Sequence, residues 1–299
     1  MVFLGEAHHI VKDGPVPLHD AATVLNRRRG PRIQSYTAAG LSADPAFLHD
    51  LVRTYRDIFG AEPWNEWKVC PSCRTTYGRL EYETRGSNWC GRCGLGALVD
   101  YHAPEQVVER LYAELGMSHG SPFMFTAQPA NPSSVGRVLG FTWGFGLPME
   151  QVVTHILRHY FTDLPERLAR HAEARILHGL AACCPSGNAT YISEVAVAEG
   201  ARGSSMLFAQ MLHAMAERQV ANGYPTWVLW TSRKSRAYQL AALLGGAPLY
   251  HLDEDVKGDH RLLIAGDCAE FLAIREKYPA EKLVSYFVKT VRDLKAAAK

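Results

Sequence analysis

The chain of 299 residues is long enough for one large domain or two ordinary ones. At 47% apolar and 21% charged it carries enough hydrophobic material for a core, which excludes a disordered chain. Thirty-two Lys and Arg against thirty Asp and Glu leave a formal charge of +2, too little to point by electrostatics alone to a nucleic-acid or membrane partner.

Residues 1–31 read as an irregular lead-in. Glu6, His8 and His9 fall where a signal peptide has its apolar block, and no apolar run reaches the ~18 residues of a spanning helix, so a cytoplasmic protein is expected. Arg27, Arg28, Arg29 and Arg32 suit either a solvated basic turn or a phosphate or RNA contact. A short strand is predicted over 32–37. Asp44-Pro45 marks a helix start, followed by Phe47, Leu51, Val52, Tyr55, Ile58 and Phe59 at helical spacing until Gly60. A cysteine segment occupies 68–96, and a second helix is predicted over 104–115. Strands over 123–127 and 138–145 flank a turn with Pro129 and Pro132. Helices over 149–160 and 165–182, a strand over 191–197, a helix over 204–222 closed by Gly223 and a strand over 226–231 follow. A helix over 235–244, two closing strands and a terminal helical region with excess positive charge complete the chain. Strands alternating with helices predict an α/β or α+β fold with a mixed sheet.

Cys70-Pro-Ser-Cys73 and Cys90-Gly-Arg-Cys93 form C-x2-C-x16-C-x2-C. Each pair makes a knuckle that aims two thiolates at one point, and the spacing predicts a tetrahedral Zn²⁺. Four thiolate ligands leave no open position, so the metal is structural. The segment resembles a zinc ribbon, with a β-hairpin expected between the pairs around Gly86 and Ser87. Cys183, Cys184 and Cys268 are left as small buried residues.

The stretch from Tyr191 to Phe208 carries the chemistry. A strand containing Glu194, Val195, Ala196 and Val197 runs into Arg202-Gly203, and Ser204, Ser205, Met206 and Leu207 open a long helix. A helix N-terminus offers free N–H groups and partial positive charge, which suits phosphate. With the front segment Tyr55-Arg-Asp-Ile-Phe-Gly-Ala-Glu-Pro-Trp64-Asn65-Glu66 and the later strand and helix, the chain resembles the GNAT superfamily of acetyl-CoA-dependent N-acetyltransferases over about 32–266, interrupted by the ribbon at 68–96 and followed by a helical extension at 267–299. The resemblance implies a mixed sheet in which two parallel neighbouring strands splay apart. It implies acetyl-CoA in that gap, with Val195, Ala196 and Val197 along the pantetheine arm and Arg202 to Leu207 around the pyrophosphate. It implies an amine acceptor and Glu194 as general base. The sequence departs from the family pattern at Ser205 and Leu207, where Gly and Gly or Ala are usual, at Lys234 for Asn, and at Ala241 for the acid tyrosine. Tyr238, one turn earlier, is the candidate substitute, with Tyr250 as a second.

The segment 147–183 is expected to cover the acceptor end of the gap. His155 and His159, and His171 and His178, share helix faces and suit either a metal or ordinary capping and surface roles. Two function classes stand: acetyl transfer to an amine, or a non-catalytic module in which the ribbon binds a protein or nucleic acid and the acyltransferase fold is degenerate.

Overall fold

The computed structural model describes residues 31–130, 138–161, 165–201, 205–243, 245–251 and 261–277. The arginines at 27–29, residues Arg202, Gly203 and Ser204, and most of the basic tail lie outside them. Among the described residues no helix is long and apolar enough to cross a membrane.

Strand β1 (Arg32–Ser35) leads into a short α1 (Ala38–Ser42) and then α2 (Pro45–Phe59). The start of α2 is the one the sequence predicts: the Asp44 carboxylate accepts from the Phe47 N–H at 2.9 Å, and Pro45 occupies the first turn, where no N–H is needed. The ribbon follows, with β2 (Lys68–Val69), β3 (Thr76–Tyr77), α3 (Arg79–Arg85) and β4 (Val99–Asp100). Next come α4 (Pro104–Leu115), β5 (Ser121–Gln128), β6 (Gly140–Pro148), α5 (Met149–Tyr160) and α6 (Glu166–Cys183). The chain continues through β7 (Asn188–Val197), α7 (Ser205–Ala221), β8 (Thr226–Ser232), α8 (Arg236–Leu243), β9 (Ala247–His251), β10 (Arg261–Asp267) and α9 (Cys268–Lys277).

Seven strands form one sheet in the order β1-β5-β6-β7-β8-β10-β9. Every neighbouring pair is antiparallel except β7 and β8. That parallel pair is short. Ala189–Ile192 face Thr226–Leu229, and beyond Ile192 the two strands no longer pair. On its other side β7 carries a β-bulge. Trp143 faces Glu194, the next β6 residue Gly144 faces Ile192, and Ser193 is the extra residue. The bulge resets the alternation of side chains, so Tyr191 and Glu194 lie on one face and Ile192, Val195 and Val197 on the other.

Helices cover both faces. Under α7 and α9 the core holds Phe123, Phe125, Ile192, Leu229 and Ile264. On the opposite face, α5 and α6 pack on Phe145, Tyr191, Val228 and Leu263, while α2 and α4 pack on Met124, Phe141, Trp143 and Ala196. Each large side chain buried in this way is worth about 1.5–3 kcal/mol relative to exposure.

The ribbon corrects one expectation. No hairpin lies between the cysteine pairs; α3 does, ending at Gly86 with φ 63. The run from Arg79 to Arg85 is made largely of good helix formers, and Arg79 pairs with Glu83 one turn on at 2.9 Å. Gly86, which suggested a hairpin turn, is the left-handed residue that stops the helix. The hairpin is β2–β3, around the first knuckle, and β4 pairs with the other edge of β2. The ribbon is docked on α2. The guanidiniums of Arg56 and Arg79 both lie over the Trp67 ring, 4.7 and 5.1 Å from its centre. Asp100 receives Arg56 at 2.7 Å and Lys68 at 2.9 Å.

A Cβ on Gly144 would overlap the Tyr191 carbonyl oxygen and stand 3.0 Å from the Ser193 nitrogen, both backbone atoms of the bulge. Gly144→Ala is therefore expected to lower stability by about 3 kcal/mol in urea unfolding. Gly187→Ala, at φ 71 but in open space, is expected to cost only about 1 kcal/mol. Equal losses would mean that the bulge yields to a side chain.

Candidate active site

Where β7 and β8 part, a cavity of about 520 Å³ opens between Ser193, Glu194 and Val195 on one strand and Leu229, Trp230 and Thr231 on the other. Its walls come from α2 through Tyr55, from α4 through Arg110, and from α5 through His159 and Tyr160. The ribbon supplies Arg74 and Thr76, and the segment leaving it supplies Tyr101 and His102. A larger, open groove of about 1010 Å³ runs between α2, α3 and the end of β7, but holds none of the residues singled out for chemistry.

Glu194 is buried at the edge of this cavity. One carboxylate oxygen accepts from Arg110 at 2.7 Å and from the Tyr55 hydroxyl at 3.0 Å. Arg110 also donates to Glu114, one helical turn away, at 3.0 Å, and the Trp143 indole N–H donates to the other Glu114 oxygen at 2.9 Å. Arg110 thus bridges two buried carboxylates. Burial raises the pKa of Glu194 above the ordinary carboxylate value, against the pull of Arg110, which favours the charged form. Burial works against the Arg110 charge, but Glu194 and Glu114 outweigh it and hold the guanidinium firmly protonated. Tyr55 is pushed well up, by burial and then by the charge of Glu194.

A strand carboxylate in the gap between two splayed parallel strands is the arrangement that the sequence resemblance implies. The mixed sheet, with one parallel pair that parts beyond Ile192, has the form that the GNAT resemblance implies. The sequence matches no protein-family model and no curated protein. Solved structures with a similar course include arylalkylamine N-acetyltransferase 2 from Aedes aegypti, at 10% identity and TM-score 0.44 over 80% of this chain and 99% of that one. A CoA-dependent acyl-homoserine lactone synthase, BjaI, aligns at 14% identity and TM-score 0.42 over 83% and 89%. An agmatine N-acetyltransferase aligns at 13% identity and TM-score 0.42 over 79% and 99%.

In this GNAT-like frame, Val195 and Val197 pack toward α7, and Ala196 is buried on the face of α2 and α4. Arg202, Gly203 and Ser204 lie outside the described residues, while Ser205 and Met206 open α7. The Leu207 side chain, the departure from the family's small residue, is turned into the core against Ala127 and Met211. Lys234 is exposed, Ala241 is buried, and Tyr250 is buried among α6 and the closing strands. Tyr238 packs against the core under α7 and is not among the residues lining the cavity. Tyr160 does line it, and its hydroxyl accepts from Tyr191 at 3.2 Å.

Tyr55, Arg110, Glu114 and Tyr160 were not among the residues that the sequence suggested. One signal was present. Arg110 and Glu114 fall between Val107, Leu111 and Leu115, so an ion pair spaced one turn apart sits on the buried stripe of its helix.

The four cysteine sulfurs lie within 4.8 Å of one another, with Cys70–Cys93 and Cys73–Cys90 each at 3.6 Å. Tetrahedral zinc with bonds of ~2.3 Å requires sulfurs ~3.8 Å apart, so the quartet fits that ion. The Tyr77 hydroxyl at 3.2 Å from Cys90, and Thr75 at 3.2 Å from Cys73, form an outer shell. Among the described residues no other group of His, Cys, Asp and Glu side chains converges in this way. His155 and His159 have ring centres 4.3 Å apart with their planes tilted by 50°, and His171 and His178 are exposed on α6.

One zinc per chain is the expected outcome of elemental analysis. Cys73→Ser should lose it and open residues 68–96 to protease, because structural zinc is worth ~10–16 kcal/mol in small domains. Zinc-free protein purified without chelator would refute this. A second test concerns His155. Burial, then His159, Arg110 and Arg158, lower its pKa from 6.5 to about 3. The unfolded chain therefore binds a proton that the folded chain refuses. Stability is lost as pH falls through that window, at up to ~1.4 kcal/mol per pH unit. His155→Gln should flatten the decline between about pH 6.5 and pH 4 in urea midpoints. Parallel declines would show that His155 does not set it.

Proposed function

We propose that this protein transfers an acetyl or related acyl group from acetyl-CoA to an amine, with Glu194 as general base and a structural zinc held by Cys70, Cys73, Cys90 and Cys93. The observation that carries the reading is the cavity at the parting of β7 and β8, with a buried carboxylate at its edge.

An alkylamine has a pKa near 10.4, so only about one molecule in ~2,500 is neutral at pH 7. A base is therefore needed, and a carboxylate with a raised pKa accepts a proton more readily than an ordinary one. Glu194 takes one proton from the ammonium. The neutral nitrogen attacks the thioester carbonyl carbon, the N–C bond forms and the C–S bond breaks. The thiolate leaves with the second amine proton, directly or by way of Tyr160, and Glu194 returns its proton to water. Tyr160 is preferred to Tyr238 for this relay because it lines the cavity. When Glu194 is protonated, Arg110 keeps Glu114, so no buried cation is left alone. The backbone N–H of Val195 is assigned to the developing oxyanion. Beyond Ile192, β8 no longer pairs with β7, which leaves room for the pantetheine arm to add as a strand. Arg202 and the first residues of α7 are assigned to the pyrophosphate.

The second reading, a binding module, draws on Leu80, Trp89 and Leu95, which are exposed on the ribbon. Calorimetry with acetyl-CoA separates the two. Micromolar binding supports the enzyme, and no binding at millimolar ligand refutes it. Glu194→Gln should lower turnover by ~10²-fold or more at neutral pH while acetyl-CoA affinity stays within a few-fold, and the deficit should narrow as pH rises and the amine sheds its proton unaided. Full turnover in the variant at pH 7 would remove Glu194 from the role.

A further inference from the structure

Six buried side-chain polar atoms have no hydrogen-bond partner among the described residues, and two of them belong to residues that line the cavity: the Ser193 hydroxyl and the Trp230 indole N–H. Ser193 is 5% exposed and Trp230 8%. Polar groups around them are engaged. The Tyr160 hydroxyl has Tyr191 at 3.2 Å, the Thr231 hydroxyl has Ser235 at 2.8 Å, and Glu194 has Arg110 and Tyr55. Leaving a buried donor unpaired is costly, and two such groups in one cavity point to a ligand atom.

The two share a place in the sheet. Ile192 and Leu229 are the last paired residues of β7 and β8, and Ser193 and Trp230 are the next residue on each strand. They form the first open rung, where the ladder would continue if the strands stayed together. Ser193 is also the extra residue of the bulge. Trp230 is fixed from α5, by the rings of Tyr160 and Phe161 with centres 5.1 and 5.7 Å away.

In the acyl-transfer reading the pyrophosphate lies at the start of α7, past the outer end of β7. The pantetheine arm then runs back along Val197 and Val195, and its thioester end arrives at the first open rung. There the acyl group meets Ser193 and Trp230, while the amine is met by Glu194. An acetyl methyl in that place leaves both polar groups unpaired. An indole N–H only donates, and a hydroxyl donates or accepts, so the complementary atom is an oxygen. Neither group is charged, and Glu194 adjoins Ser193 in the chain. A carboxylate would find no cation of its own at this rung and a like charge beside it, so the oxygen that fits is a neutral one.

Resting on the acyl-transfer reading, we propose that the transferred acyl group carries a neutral oxygen close to the thioester, as in a 3-hydroxyacyl or 3-oxoacyl chain, and that the Ser193 hydroxyl and the Trp230 indole N–H hold it. These two residues choose the acyl donor, apart from the groups that move the proton. A plain alkyl chain of the same length leaves two buried polar groups unpaired and is rejected on that ground.

The test uses the full chain and calorimetry with CoA thioesters, which needs no acceptor. 3-Hydroxybutyryl-CoA and acetoacetyl-CoA are each compared with butyryl-CoA, the same chain without the oxygen. At least one of the oxygenated thioesters should bind about tenfold or more tightly than butyryl-CoA, and the one that does so tells a hydroxyl from a ketone. Trp230→Phe, which keeps a ring beside Tyr160 and removes the N–H, and Ser193→Ala should each reduce that ratio by about three- to tenfold. Trp230→Phe leaves the bulge and Glu194 untouched, so it decides the matter if Ser193→Ala disturbs the strand. The proposal is overturned if butyryl-CoA binds as well as or better than both, if malonyl-CoA alone binds more tightly than butyryl-CoA, or if neither variant moves the ratio. Free CoA separates this from the acyl-transfer reading. Binding of free CoA with no preference among the thioesters removes the proposal alone. No binding of free CoA or of any thioester at millimolar concentration removes both.

Discussion

Two residues of β7 are accommodated against one of β6, and the direction of Glu194 follows from that mismatch. Without Ser193 as the extra residue, strict alternation from Tyr191 would turn Glu194 toward α7, among Phe123, Ile192 and Leu229. An unpaired carboxylate there would meet an apolar core with no donor for it. With the bulge, it faces α2 and α4 instead, where Tyr55 and Arg110 reach it. The same irregularity bends the strand, and β7 loses β8 immediately beyond Ile192. The turned carboxylate and the opened gap therefore share one origin. Gly144 is the permissive residue, since only a position without a side chain lets the bulged backbone come so close.

Burial sets the character of the site. Glu194, Arg110, Glu114, Tyr55 and Trp143 form one connected polar group inside an apolar wall of Phe59, Phe141 and Trp143 rings. Taking charges out of water is costly, and Arg110 offsets that cost for two carboxylates at once. Two acids around one cation leave the cluster with a surplus negative charge. Desolvation and that surplus both favour uptake of a proton at Glu194, and Arg110 opposes it. The balance raises the carboxyl pKa instead of lowering it, the direction that suits the role of base proposed for Glu194. The neighbouring histidines answer the same burial in the opposite sense, and both are held toward the neutral form.

Local residue chemistry accounts well for where elements begin and end, and poorly for which way their side chains face. The Asp44-Pro45 start of α2 and the Gly223 stop after α7 are written in residue types that satisfy helix ends, and both stand where expected. The cysteine quartet is legible because metal geometry dictates spacing. The helix α3 was hidden because one glycine serves equally as a hairpin turn and as a helix stop. The bulge was hidden too, since Tyr191-Ile-Ser-Glu194 reads as plain alternation until the partner strand is known. Tyr238 and Tyr160 look alike as single residues on helices. Only the packing of α8 against the core and of α5 over the gap separates them. Leu207 is a related case, because an apolar residue at a helix start is an obstacle or a core anchor depending on which way the helix is rolled.

The ribbon enters and leaves the domain at adjoining points. β2 and β4 are paired side by side, and the Tyr101 N–H returns to the Trp67 carbonyl at 3.2 Å. An insertion whose ends touch is interchangeable in principle, because any loop that closes the same short distance leaves the scaffold undisturbed. Here that insertion supplies Arg74 and Thr76 to one face of the gap, while α7 packs on the opposite face. The two halves of the site thus hang on separate pieces of chain. Grafting a different loop between Trp67 and Tyr101 would rewrite one wall of the cavity without touching the bulge, Glu194 or the start of α7, so the sheet works as a chassis and the ribbon as an exchangeable part.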